Sequence, residues 1–99
     1  MNTDQQILNE IVAHANKEGG GYGSWYAGVA SDPEQRLFSD HNVPRQDAWW
    51  IHREAASSTS ARDVEAALLR LGFDGGPGGG DYTTEHVYAY RKILRVTNP

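Results

Sequence analysis

The chain has 99 residues, 38% of them hydrophobic and 22% charged, with no cysteine and a formal net charge of -4. That length and composition describe one folded domain with a modest core, over residues 1–99, and exclude a disordered tail, disulfides, thiolate metal sites and a cysteine nucleophile. The acidic balance argues against a surface built mainly to grip phosphate backbones, and the lack of a basic stretch leading into an apolar run leads us to expect a cytoplasmic protein with no membrane segment.

Ile7, Leu8, Ile11, Val12 and Ala15 recur at helical spacing, Thr3 and Gln6 have the spacing of a capping box, and Gly19-Gly20-Gly21 ends the helix. The aromatic and β-branched run Ser24–Ala30 then predicts a strand. Asp32 and Pro33 suit the N-cap and first position of a short helix that turns Leu37 and Phe38 inward and stops by Pro44. Trp49, Trp50 and Ile51 predict a second strand covered on both faces. A helix from the serine-rich stretch 57–60 to Gly72 follows, with Ala61, Val64, Leu68 and Leu71 as its core stripe.

Five glycines and a proline within the ten residues 73–82 exclude helix and strand there. Their N–H groups are a candidate anion nest, with Asp74 and Asp81 as candidate metal contacts at its ends, although a plain connector is the simpler reading. A third strand closes the chain, with Val87, Ala89 and Arg91 on one face and Tyr88, Tyr90 and Lys92 on the other. The expected fold is therefore α/β or α+β: a small three-stranded sheet flanked by helices, mixed or parallel where helices make the crossovers.

Several side chains permit phosphate chemistry. Tyr26 and Gly28 fall on one face of their strand, so a hydroxyl stands beside a residue that leaves the backbone open. Arg36, on the next helix, can clamp two phosphate oxygens with its planar fork. Glu65, beside Val64 on the third helix, is a candidate ligand for a hard cation, which often needs only one carboxylate besides water and phosphate. His41 is a candidate proton carrier. Each has a plainer role open to it: ring packing for Tyr26, surface ion pairs for Arg36 with Asp32 or Asp40 and for Glu65 with Arg62, and capping for His41.

The order of these residues is more specific than any one of them. "WYAGV" followed by "SDPEQRLFSDHN" resembles the second half of the GIY-YIG nuclease pattern, with Tyr26 and Gly28 in the Tyr-X-Gly strand, Arg36 on the helix and His41-Asn42 after it. "ARDVEAALLRLG" is similar to that family's later helix, on which Glu65 matches the metal-binding glutamate. The resemblance spans roughly residues 25–72.

It implies a Mg²⁺- or Mn²⁺-dependent phosphodiester hydrolase with Tyr26, Arg36 and His41 catalytic, Glu65 holding the metal and nucleic acid as the partner. The family's Gly-Ile-Tyr strand is missing before Tyr26, where a helix is read instead. Tyr88 and Tyr90, with Gly28 on the substrate side, are the residues able to fill the vacant place if the last strand pairs beside Tyr26. The alternative is a catalytically silent module of the same fold that binds nucleic acid or a protein, through this cleft or through the basic residues Arg91, Lys92 and Arg95.

Overall fold

The computed structural model describes residues 3–46, 49–75, 84–93 and 95–97. Helix α1, Asp4–Glu18, starts at the capping box read from sequence: the Thr3 side chain accepts from the Gln6 N–H and the Gln6 side chain accepts from the Thr3 N–H. It stops at Gly19, whose φ of 85° favours glycine. A single 3₁₀ turn, Tyr22–Ser24, leads into strand β1, Trp25–Ala30, all six of whose residues are buried. Strand β2 is Trp50–Glu54, helix α2 is Ser58–Leu71, and strand β3 is His86–Arg91. Ser57 caps α2 by accepting from the Ser60 N–H, and Gly72 ends it in the left-handed conformation.

The sheet has the order β1-β3-β2, and both pairings are antiparallel. This differs from the mixed or parallel sheet expected from the helical crossovers. The crossover does leave β1 and β2 pointing the same way, but β3 inserts between them and runs against both. The last segment in sequence is thus the central strand.

The alternation read for β3 holds and divides the protein into two layers. Trp25, Ala27, Val29, Ile51, Val87 and Ala89 pack with Ile7, Ile11 and Ala15 of α1 and with Ala61, Val64 and Leu68 of α2. Tyr26, Ala30, Tyr88 and Tyr90 face the other way, under Leu37 and Val43 from the β1–β2 connection, with Phe38 and Trp50 at the side.

Two local readings change. β2 is an edge strand among the described residues, with Ile51 buried and Trp50, His52 and Arg53 only partly so, and it is not covered on both faces as expected. Leu71, placed in the α2 core stripe from sequence, is 46% exposed, because the helix ends there and turns away at Gly72.

Candidate active site on the tyrosine face

The connection after β1 sets this face. Asp32 caps it, its carboxylate accepting from the Gln35 N–H at 3.1 Å, and the segment Gln35–Asp40 then winds as a π-helix instead of an ordinary α-helix. Its wider turn is closed by the His41 N–H donating to the Arg36 carbonyl at 2.9 Å. Turns of this kind occur often at functional sites. Leu37 is pushed into the core, Arg36 is left half-exposed at the rim, and the ring of His41 is carried over the sheet. Asn42 takes a φ of 56°, tolerated by Asn, and its side chain donates to the Val96 carbonyl at 2.8 Å, tying the end of this segment to the chain terminus.

Beneath His41 lie three tyrosines from two strands. The β1–β3 register sets Tyr26 opposite Tyr90 and Gly28 opposite Tyr88. Tyr88 leans across Gly28 so closely that a Cβ there would stand 2.5 Å from the phenol oxygen, so only glycine fits. His41 Nε2 is hydrogen-bonded to the Tyr88 hydroxyl at 2.8 Å and Nδ1 to the Tyr90 hydroxyl at 3.0 Å. Tyr26 stacks on Tyr90 with ring centroids 5.2 Å apart and lies 5.1 Å from the His41 ring. Of the three phenols Tyr26 is the most accessible, at 9%, against 1% for Tyr88 and 0% for Tyr90.

The charges around this cluster are unequal. Proximity to the Tyr88 hydroxyl is the main reason the Arg36 pKa is raised. Burial pushes the Tyr88 phenol up, while Arg36 pulls it partly back. Burial also pushes Tyr90 up, and the neighbouring Tyr26, Tyr88 and Asp74 raise it further. Arg36 reaches Asp40 as well, at 3.5 Å between two half-exposed side chains, a pair weak enough to be exchanged for another anion.

Glu65 approaches from the other layer. Its helix packs on the apolar face of the sheet, opposite the tyrosines, and Glu65 flanks the buried stripe next to Val64. Leu69, one turn later on the same flank, reaches Gly75, which sits against the Ala27 carbonyl on the outer side of β1. The Glu65 charge acts on the Tyr88 hydroxyl only as the smallest of the influences that shift it. Partial burial raises the Glu65 pKa, with Arg62 opposing.

The structure thus brings together Tyr26, Gly28, Arg36, His41, Tyr88 and Tyr90, with Glu65 at the edge of the group and not on the same face. The placement of the last strand beside Tyr26 follows the expected pairing. Among the described residues no group of three or more His, Asp or Glu side chains is arranged to hold a metal. The candidate contact Asp81 and most of the glycine segment, residues 76–83, lie outside the described residues. Asp74 pairs instead with Lys92 at 2.9 Å, which holds its carboxyl below the usual range.

Read from sequence, His52 has no role and Trp50 only a place in the second strand. They stack with centroids 5.7 Å apart and share the tyrosine face, opposite Tyr90 and Tyr88 respectively. The period-two alternation of Trp50, His52 and Glu54 contained that placement. No helix among the described residues is long and apolar enough to cross a membrane. No protein-family model, curated protein or solved structure matches the chain.

Proposed function

We propose that the tyrosine face is a phosphodiester-hydrolysis site of the GIY-YIG type, acting on nucleic acid. The observation that carries this reading is the β1–β3 register, which sets Tyr88 and Tyr90 beside Tyr26 and under His41 and Arg36. The phenols missing from the expected first strand are supplied by the last strand, so the site is completed by a different part of the chain.

Arg36 is the phosphate clamp. Its present partners are a phenol and an exposed carboxylate, and a phosphate offers its guanidinium two charged oxygens at once. Drawing Arg36 toward phosphate frees the Tyr88 hydroxyl, which then takes a proton from the attacking water as its own proton passes to His41 Nε2. Catalytic hydrogen bonds in unliganded sites commonly rearrange in this way when substrate binds. Tyr26, the least buried of the three phenols, orients the substrate, and Gly28 gives the Tyr88 ring room to lie across β1.

The donor set fits a Mg²⁺ or Mn²⁺ ion held in the minimal manner: Glu65 is a lone carboxylate at the rim, and water with substrate oxygens would complete the shell. Such a cation supplies Lewis-acid stabilisation of charge on the phosphate. Burial raises the pKa of Glu65 although Arg62 opposes it, so a metal cation at the carboxylate would favour the anionic form further.

Plasmid nicking with added Mg²⁺ or Mn²⁺ tests the reading. Wild type should nick, Glu65→Gln should not, and Arg36→Ala should lose about 10²–10³-fold, the usual loss for one electrostatic donor. Nicking that persists unchanged in Glu65→Gln marks a contaminant and refutes the proposal. The binding-module alternative through the basic C-terminus is less well supported, because Lys92 is paired with Asp74 and Arg91 turns back toward the Glu18 carbonyl.

A further inference from the structure

The π-helix ends in a left-handed turn. The Val43 N–H reaches back past Asn42 and His41 to the Leu37 carbonyl at 2.9 Å, and Val43 and Leu37 are both buried. This is the counterpart, one residue wider, of the Schellman end of an α-helix, with Asn42 in the place where glycine is usual. Asn42 tolerates the φ of 56° and brings something glycine lacks. Its amide nitrogen donates to the Val96 carbonyl, 54 residues away in the chain, at 2.8 Å.

The carbonyl it meets is itself held. Just past β3, the Val96 and Thr97 N–H groups both donate to the Ile93 carbonyl at 3.0 Å, and the Ile93 N–H donates to the buried Thr97 Oγ1 at 2.9 Å. These residues continue the strand that carries Tyr88 and Tyr90. The His41 segment is therefore referenced to that strand at two levels: the ring nitrogens bond the two phenols, and the next residue bonds the turn beyond them.

We propose that Asn42 is a positioning residue for His41: its amide ties the left-handed turn to the end of β3 and so sets where the imidazole meets Tyr88 and Tyr90. Its catalytic meaning rests on the phosphodiesterase reading, in which His41 Nε2 takes the Tyr88 proton, whereas the tether belongs to the resting protein. The bond lies at the surface and is worth one ordinary hydrogen bond, enough to bias the turn and too little to decide whether the chain folds. Asparagine at a left-handed position also has a plainer use, the conformation alone. The two uses part at glycine.

Asn42→Gly keeps the left-handed turn without steric cost and removes the amide. Asn42→Asp keeps the size and the tolerance of positive φ but has no N–H to give a carbonyl. The test is ring-nitrogen NMR of the full chain labelled with ¹⁵N-histidine, the His41 signals being assigned by their loss in His41→Asn. Both variants should shift or split those signals and should lower the kcat of Mg²⁺-dependent nicking by about 2–12-fold, the span of one net hydrogen bond, with KM little changed. Asn42→Gly with wild-type signals and rate overturns the proposal, because conformation is then all that Asn42 supplies. Thr97→Val, which loosens the same turn from its far side, should move the same signals, and its effect should not add to that of Asn42→Gly. Full additivity would mean that the turn acts on His41 by another route and also overturns the proposal. A wild type that never nicks DNA sinks the phosphodiesterase reading and leaves the ring signals to decide the tether.

Discussion

The two faces of the sheet are built on different principles. The face under α1 and α2 has a largely apolar core, with Trp25, Val87, Ala89, Val64 and Leu68 filling the space between layers. The face under the π-helix buries three tyrosines and an imidazole, and two of the hydroxyls are hydrogen-bonded to the imidazole nitrogens. An apolar core tolerates substitutions that keep volume, whereas a buried polar cluster loses function when one partner goes, because each remaining group is left unsatisfied. The proposed chemistry draws on the polar side, and most of the apolar burial lies on the other.

The comparison can be broken from the apolar side first, where the effect is largest. Leu68 is wholly buried, and Leu68→Ala should cost about 2–5 kcal/mol in chemical denaturation, the range for large-to-small changes in cores. It should leave the His41 ring-nitrogen signals of the surviving folded protein unchanged. Altered signals would mean that the layers are not independent.

From the tyrosine side the decisive position is Gly28. Gly28→Ala places a methyl group 2.5 Å from the Tyr88 hydroxyl, which is held by His41 and has nowhere open to go. We expect a cost of about 1–3 kcal/mol, as for overpacking elsewhere, accompanied by loss of the Tyr88–His41 bond. A variant of wild-type stability with that bond intact would show that Tyr88 sits more loosely than described.

The smallest effect has the opposite sign. The folded-state pKa of Glu65 is raised by burial, so the stability linked to it is fully present below its ordinary value of 4.5 and is lost as pH rises through the raised one. Glu65→Gln should therefore melt slightly higher than wild type at pH 7, with the gap closing toward pH 4. A lower melting temperature at pH 7 would mean that the carboxylate stabilises the fold and is not a strained functional group.

Much of the apolar layer was legible in the sequence. Ile7, Ile11 and Ala15 in α1 and Ala61, Val64 and Leu68 in α2 repeat at helical spacing, and caps such as Thr3 and Gly72 mark the ends, all from residues near one another in the chain. The tyrosine face was legible in its members but not in their arrangement. Alternation puts Tyr88 and Tyr90 on one side of β3, yet nothing local says that β3 inserts between β1 and β2 or that it runs against both. Nor does a short run such as Gln35–Asp40 distinguish an α-turn from the wider π-turn that carries His41 over the sheet. The side on which α2 packs is likewise a long-range outcome, which is why Glu65 stands on the layer opposite the tyrosines.

That position of Glu65 is the point on which the whole account depends, and Mn²⁺ titration of ¹⁵N-labelled protein tests it most directly. Paramagnetic broadening should centre on Glu65 and extend past the β1 margin to Gly28 and Tyr88 of wild type, and it should vanish in Glu65→Gln. Broadening confined to the solvent side of α2 around Arg62, or none above background, would contradict a single site joining the two layers.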